Sequence, residues 1–148
     1  MTDTTNELPP HFFRTVVEKI LFLKDTDIFS QSSPESLLHV TAVAAEMSAS
    51  AGETIFRRGD VSDYLYLVVS GEVQITREGE EIFVARSNES FGLLGLMEEL
   101  PRATTAKGVA DSNLLRIGYN DLFDLMEDYT DVMKGVLRGL AKVLRHVL

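Results

Sequence analysis

Residues 51–86 read AGETIFRRGDVSDYLYLVVSGEVQITREGEEIFVAR, and this stretch decides the fold. Short runs of alternating apolar and polar residues are interrupted by pairs typical of tight turns, at Ala51-Gly52, Gly59-Asp60, Ser70-Gly71 and Glu78-Gly79. The alternation predicts strands here and further along the chain, over Glu53–Arg57, Tyr64–Val69, Glu72–Arg77, Glu81–Arg86, Ala103–Val109 and Asn113–Ile117. Short strands at this spacing predict a mainly β protein, an antiparallel jelly-roll-like β-roll over residues 47–118.

The strand pattern is broken once, between Phe91 and Pro101. The intervening sequence, GLLGLMEEL, is apolar but neither alternates clearly nor contains a turn signal. We therefore expect a single helical turn inserted between two strands at this point.

Helices are predicted before the strands. Residues 1–10 are polar and end in two prolines, which predicts a mobile tail. Apolar residues at helical spacing predict an amphipathic helix over His11–Leu23. Ser32-Ser33-Pro34-Glu35 offers an N-cap serine and a first-turn proline, and so predicts a second helix over Pro34–Ala45. These N-terminal helices are expected to fill residues 11–46.

Two more helices are predicted after the strands, within residues 119–148. Asn120 is expected to cap a short helix over Asp121–Asp128, and Thr130 or Asp131 a final helix that runs to Leu148. The final helix carries four basic residues against one acid, a net +3. The rest of the chain has 10 basic and 22 acidic residues, a net −12.

The final helix also has an apolar stripe and two glycines. Its stripe repeats at four, four, three and four residues, close to a heptad, through Val132, Val136, Leu140, Val143 and Val147. Two interpretations stay open: the stripe packs on the β-roll, or it is the seam of a homodimer. Gly135 and Gly139 would let the helix bend or approach another backbone closely.

The composition excludes several classes of protein. A chain of 148 residues suits one domain with a single core. It has 14 Lys+Arg against 23 Asp+Glu, and the charge of −9 argues against a nucleic-acid partner, because neutralising phosphates needs a surplus of cations. Cysteine is absent, which excludes disulfides and thiolate metal sites. No signal-like start and no membrane-length apolar run are visible, so we expect a cytoplasmic protein without a membrane partner.

Catalytic chemistry finds little support in the sequence. The histidines are His11, His39 and His146, all on predicted helices, so the predicted β-roll cannot hold a histidine-based metal site. The adjacent carboxylates Glu80-Glu81 point to opposite faces of a strand, and Glu98-Glu99 are expected in a loop. We expect no catalytic residue, no metal and no cofactor.

The order of these segments resembles the cyclic nucleotide-binding domain family, of the type in catabolite activator proteins and protein kinase A regulatory subunits. The resemblance rests on AGETIFRRGD at 51–60, YLYLVVSGEV at 64–73 and FGLLGLMEELPRATT at 91–105, and covers residues 15–148. It implies a domain over residues 11–148 with a phosphate-binding cassette at 91–105. The implied ligand-binding residues are Gly92, Leu93, Leu94, Gly95, Arg102, Ala103 and Thr104.

The residue types of this cassette suit a cyclic phosphate. The diester carries one negative charge and two free oxygens, so it needs a fixed cation and backbone N–H donors. Arg102, beside the rigid Pro101, can supply a bidentate guanidinium, and Gly92 permits close backbone approach. The alternative for Arg102 is a surface arginine paired with Glu98 or Glu99.

The cassette departs from the family pattern at two positions. Typical members have a glutamate directly after the cassette glycine, where it accepts a hydrogen bond from the ribose 2′-hydroxyl, whereas this chain has Leu93. An unpaired hydroxyl costs about 1–3 kcal/mol, or roughly ten- to hundredfold in affinity. Gly95 replaces a common alanine and loosens the short helix. The cassette is therefore degenerate, and it holds a nucleotide weakly, another small anion, or nothing.

The resemblance implies a non-catalytic regulatory or sensory domain. We expect it to bind cAMP in preference to cGMP and to relay occupancy through its C-terminal helix. The alternative is a degenerate domain that binds no nucleotide and serves protein contacts or dimerisation. Many bacterial relatives add a helix-turn-helix, but this sequence stops at Leu148, so it is either a lone domain or a piece of a longer protein.

Overall fold

Two four-stranded antiparallel sheets form the centre of the computed structural model, which describes residues 12–148. The strands are β1 (Ala44–Ala49), β2 (Thr54–Phe56), β3 (Tyr64–Ser70), β4 (Val73–Arg77), β5 (Glu80–Ala85), β6 (Ser90–Phe91), β7 (Thr105–Gly108) and β8 (Ser112–Gly118). One sheet has the order β1-β8-β3-β6 and the other β2-β7-β4-β5. The β-roll predicted from the alternating sequence is confirmed.

Within the described residues five helices flank the sheets, and their bounds are α1 (Val16–Lys24), α2 (Pro34–Val43), α3 (Leu93–Glu98), α4 (Tyr119–Asp128) and α5 (Thr130–Val147). The predicted turn between Phe91 and Pro101 is α3. The N-cap serine of α2 is Ser33, whose Oγ accepts a hydrogen bond from the Ser36 N–H at 3.1 Å. The expected tail at 1–10 and His11 lie outside the described residues.

Several predicted boundaries were wrong. Ala44 and Ala45, the first two residues of β1 (AAEMSA), were predicted as the end of the second helix, because alanine favours helix locally, and no strand was predicted over the rest of β1. Its pairing with β8, from Ala44 opposite Ile117 onward, decides the strand. The two-residue β6 is too short to leave a pattern. The first helix begins at Val16 rather than at residue 11, after the N-cap Thr15.

The predicted caps of the last two helices were also wrong. Helix α4 begins at Tyr119 after Gly118, so Asn120 lies inside it. Helix α5 follows Tyr129 directly, and Asp131 lies in its first turn. The Asp131 carboxylate instead accepts hydrogen bonds from the Ser33 N–H and the Ser36 hydroxyl, both at 2.8 Å, which ties the start of α5 to the start of α2.

Strand alternation divides the core into two clusters. In β3, Leu65 and Leu67 pack against the helices, whereas Tyr66 and Val68 point into the β-roll. The same split occurs in β8, where Leu114 faces the roll interior. This alternation places aromatic side chains inside the roll, where the candidate site lies.

Helix α5 packs on the helical cluster through its first half. Val132 and Val136 are fully buried there, so they cannot form a dimer seam, and that part of the seam prediction was wrong. A Cβ on Gly135 would lie 2.0 Å from the Ile28 carbonyl oxygen, which confirms a close approach to another backbone. The exposed side of α5 instead presents Met133, Leu137 and Leu144, with Leu140 half-buried.

The Asp131 contact predicts a pH-dependent contribution to stability. Burial alone would raise the pKa of Asp131, but the hydrogen bonds from Ser33, Ser36 and Val132 together lower it. The contribution is therefore present above the pKa of an unfolded aspartate, about 3.9, and lost as the pH falls through the lower folded value. Asp131→Asn replaces the carboxylate with a neutral amide oxygen that accepts weaker hydrogen bonds, so denaturant titrations are expected to show a loss of about 1 kcal/mol of unfolding free energy at pH 7 and much less at pH 3.

The matched control for this prediction is Asp124→Asn, which removes an exposed carboxylate from α4. A loss that is equal at the two pH values, or equal in the control, would contradict the role given to Asp131.

Within residues 12–148, no helix is long and apolar enough to cross a membrane.

Candidate ligand site

The cassette brings Gly92 and Arg102 into direct contact. Gly92 joins β6 to α3 with a φ of 87°, a left-handed conformation that favours glycine. Arg102 Nη1 donates to the Gly92 carbonyl oxygen at 2.7 Å, and a Cβ on Gly92 would lie 3.0 Å from that nitrogen. Glycine is therefore needed at this position for two reasons: the backbone angle is left-handed, and the guanidinium occupies the space that a side chain would fill.

Arg102 points into the β-roll rather than into solvent. Its residue is only 4% exposed, and its guanidinium carbon lies 4.1 Å from the centroid of the Phe56 ring. Nη2 donates to the Tyr64 carbonyl oxygen at 2.6 Å, while the buried Nε has no hydrogen-bond partner. Burial lowers the pKa of Arg102, against the opposing influence of Tyr66, Asp63 and Asp60. The guanidinium is thus held in a buried environment, and its Nε–H donor has no hydrogen-bond partner.

No carboxylate in the described part of the chain lies within the 4.0 Å ion-pair distance of this guanidinium. The alternative interpretation, a surface arginine paired with Glu98 or Glu99, is therefore wrong. A buried cation held only by neutral carbonyls is costly, because the carbonyls replace water incompletely. An anion that approached Arg102 would gain a charge-assisted, low-dielectric interaction.

The other predicted site residues separate into different environments. Leu93, expected to face the ligand, is 3% exposed and packs in the helical core cluster. A Cβ on Gly139 of α5 would lie 3.0 Å from its Cδ2. The structure thus corrects the expected orientation, because an apolar side chain gains more from contact with α5 than from a polar site. Leu93 links the cassette helix to α5.

Gly95 lies close to the arginine and Leu94 does not share its environment. A Cβ on Gly95 would be 3.5 Å from Arg102 Nη1 and 2.7 Å from Ser62 Oγ, so a small residue is needed there for space. Leu94 is 46% exposed. Ala103 is exposed and Thr104 half-buried, on the segment that leads from Arg102 into β7.

Aromatic rings line the roll beside Arg102, and sequence reasoning did not assign them to the site. Tyr66 and Phe91 stack with centroids 5.0 Å apart and planes 7° apart, and Phe56 lies 6.1 Å from Phe91. Burial raises the pKa of Tyr66. The signal that could have found them is the period-2 placement of Tyr64 and Tyr66 in β3, which puts both rings on one face.

Two surface clefts lie near the cassette. One of about 290 Å³ is lined by Val61, Ser62, Glu99, Leu100, Pro101 and Tyr119. The other, of about 500 Å³, lies at the start of α4 and includes Tyr64, Arg116 and Tyr119. Neither of these two clefts is lined by Gly92 or Arg102.

The described residues contain no group of three or more histidine or acidic side chains placed to hold a metal ion. His39 stacks on Tyr129 with centroids 4.9 Å apart, and His146 meets the edge of Phe83 at 5.7 Å. Both imidazoles therefore belong to packing contacts at the helices.

A two-sheet β-roll with a short helix and a buried arginine between two of its strands defines the class of cyclic nucleotide-binding domains. Residues 46–129, more than half of the chain, match the family described as Cyclic nucleotide-binding domain. The chain belongs to this family. Domains of this family are regulatory rather than catalytic.

The relatives that this chain matches are longer proteins. The chain is 29% identical over 111 residues to Rap guanine nucleotide exchange factor 1 of Caenorhabditis elegans, covering 75% of this chain and 10% of that protein. Across the first curated relatives, the chain spans between 10% and 55% of their length.

Two solved structures have the same fold. The catabolite activator protein of Thermus thermophilus matches with a TM-score of 0.75 and 28% identity, over 82% of this chain and 60% of that one. The regulatory domain of Toxoplasma gondii protein kinase A, crystallised with cAMP, matches with a TM-score of 0.68 and 26% identity, over 74% and 44% of the two chains.

Proposed function

We propose that this chain is a non-catalytic regulatory domain that binds a cyclic nucleotide at the cassette, cAMP in preference to cGMP, and relays occupancy through α5. The observation that carries the proposal is Arg102, a buried cation with an unused Nε–H and no carboxylate partner in the described chain. A cyclic phosphate supplies the missing negative charge. The similar regulatory domain from Toxoplasma gondii, crystallised with cAMP, supports the choice of ligand.

One physical route, to the first half of α5, is the contact between Leu93 and Gly139. Leu93 directly follows Gly92, so a shift of α3 toward a bound phosphate moves a side chain that packs on α5. Ligand shifts the position of α5 only if it binds one position more tightly than the other. Leu93 lies in the helical core and offers the ribose 2′-hydroxyl no acceptor, so we expect affinity weaker than that of a cassette with this hydrogen bond by roughly ten- to hundredfold.

Titration calorimetry with cAMP and with cGMP tests the proposal. Saturable heat with cAMP, a weaker response to cGMP and a raised melting temperature are expected. Absence of heat and of thermal shift at millimolar concentrations of both nucleotides would reject nucleotide binding and favour the second candidate. That candidate is a domain used only for protein contacts, which is supported by the exposed apolar side of α5.

We also propose a homodimer through that exposed side. Met133, Leu137, Leu140 and Leu144 repeat at four, three and four residues, as in a coiled-coil seam. Leu137 is 57% exposed at its centre. Sedimentation is expected to show a dimer for the wild type and a monomer for Leu137→Asp. Leu38→Asp, an exposed leucine on α2, is the matched control and should stay dimeric; equal masses for the wild type and Leu137→Asp would reject the seam.

A cytoplasmic location and the absence of a nucleic-acid partner stay predictions.

A further inference from the structure

Asp27, in the connection between α1 and α2, touches both the strand that enters the cassette and the helix proposed to relay occupancy. Its Oδ2 accepts hydrogen bonds from the Ser90 N–H and the Ser90 hydroxyl, both at 3.1 Å. Its own backbone N–H donates to the Asn88 carbonyl oxygen at 3.2 Å. Ser90 begins β6 and stands two residues before Gly92, so Asp27 holds the strand that positions the cassette glycine.

The same oxygen of Asp27 reaches α5. Lys142 Nζ lies 3.6 Å from Asp27 Oδ2 and 4.0 Å from Glu89 Oε2. The Asp27 side chain is only 16% exposed, and its second oxygen, Oδ1, is buried without a hydrogen-bond partner. Among the described residues, the Asp27 carboxylate therefore has Ser90 and Lys142 as its side-chain partners. Because both contact the same oxygen, a change in one interaction alters the strength of the other.

Lys142 lies where α5 has little else to hold it. Residues 132–139 include the buried Val132 and Val136, whereas every residue from 141 to 146 is exposed. Apart from the ion pairs of Lys142, the described contacts of this half are Leu140, half-buried against the helical core at its start, and the edge of Phe83 against His146. A weakly packed segment held by few contacts opens easily, so the ion pair controls whether it rests on the domain.

Asp27 also adjoins the packing contact of the first half of α5. The next residue, Ile28, supplies the carbonyl oxygen against which Gly135 fits, and its side chain lies against Gly139. The connection between α1 and α2 thus contacts α5 at two adjacent residues. Ile28 packs against its glycines, and Asp27 forms the ion pair with Lys142. This places Asp27 at the junction between β6 and α5.

We propose that Asp27 is a positioning residue that couples the cassette strand to the second half of α5 by sharing one carboxylate oxygen between Ser90 and Lys142. As a mechanical link the coupling exists without ligand. As a route for relaying occupancy it rests on the proposed function, and the experiment separates the two.

Amide hydrogen exchange of the ligand-free protein tests the mechanical link. Lys142→Gln is expected to raise exchange in residues 140–146 by up to about fivefold, the upper end of the range for an exposed ion pair. Asp27→Asn should raise it there and at the Ser90 amide. The double variant should fall well short of the product of the single effects, because both changes remove the same interaction. Lys134→Gln, which removes the same charge from an exposed position of α5, should change neither region.

Multiplicative effects in the double variant, or an equal effect of Lys134→Gln, would overturn the link. If Asp27→Asn does not fold, salt provides the second measurement. Exchange in residues 140–146 should rise between 0.05 and 0.5 M salt in the wild type and stay level in Lys142→Gln, because only the wild type has a pair to screen. Equal salt dependence in both proteins would also overturn the link.

Addition of cAMP tests the relay. In the wild type, cAMP should change exchange at Ser90 and in residues 140–146 together; in Lys142→Gln it should still bind, but the change in residues 140–146 should be lost. A change in Lys142→Gln equal to that in the wild type would overturn the relay through Asp27. A wild type that binds no cAMP would reject the proposed function and the relay, while the ligand-free measurements would still decide the mechanical link.

Discussion

Replacing Arg102 with alanine is expected to weaken cAMP binding by at least about thirtyfold. Removing one partner of a buried charge pair costs about 2–5 kcal/mol, and each 1.4 kcal/mol is tenfold in affinity. The described residues offer no second cation that contacts Gly92, so nothing in the cassette replaces the lost charge. Titration calorimetry gives the two dissociation constants, and thermal melting reports whether the variant is folded.

Arg102→Lys separates charge from geometry. A lysine keeps the positive charge but loses the planar fork that bonds Gly92 and Tyr64 at once. Binding between those of the wild type and Arg102→Ala is therefore expected. Arg58→Ala is the matched control, because Arg58 is an exposed arginine paired with Glu78 at 3.3 Å and should leave affinity unchanged. A folded Arg102→Ala protein that binds cAMP within threefold of the wild type would reject Arg102 as the phosphate ligand.

Gly135→Ala is expected to destabilise the protein by about 1–3 kcal/mol, the usual cost of inserting a methyl group into a filled space. In an exposed helix the same change stabilises by about 1 kcal/mol, so the predicted sign is reversed. The reason is the Ile28 carbonyl oxygen, 2.0 Å from the new Cβ, which is backbone and cannot rotate away. Helix α5 must shift, and its burial of Val132 and Val136 is weakened.

Gly139→Ala is the internal comparison for this prediction. Its Cβ would meet Leu93 Cδ2 at 3.0 Å and Ile28 Cγ1 at 3.3 Å, and side-chain atoms can give way where a carbonyl cannot. A smaller loss of unfolding free energy is therefore expected for Gly139→Ala in denaturant titrations. A rise in stability for Gly135→Ala, as in an exposed helix, would contradict the close packing of α5 on Ile28.

Much of the fold was predictable because its signals are local. Alternation over three to seven residues and glycine turns identified the strands that bound the roll, and Ser33 with Pro34 identified the start of α2. The exceptions are β6, which is only two residues long, and β1, in which AAEMSA has the residue types of a helix. The case of β1 is physically informative. Its strand conformation comes from pairing with β8, more than sixty residues away, and no local pattern contains that information.

The candidate site was predictable in its parts but not in its arrangement. The family resemblance implies Gly92 and Arg102 as site residues, their residue types suit a phosphate, and the structure brings them into contact. The side chain of Leu93 does not face the ligand site as expected but is buried against α5, and this orientation depends on Gly139, more than forty residues later in the chain. The stripe of Val132 and Val136 likewise had two possible partners, and only the packed structure shows that they lie in the core.

The sequence by itself determined that this protein is a β-roll with helices at both ends, because periodicity and turn residues act within a few positions of each other, and its motifs resembled a cassette with one arginine. The tertiary structure decided what each of those residues does. Arg102 is buried because Gly92 and Tyr64, 10 and 38 residues away, present their carbonyls to it. Asp27 joins β6 to α5 because the fold brings Ser90 and Lys142 to one carboxylate. Such contacts are set by the free energy of the whole packed core, which no short stretch of sequence carries.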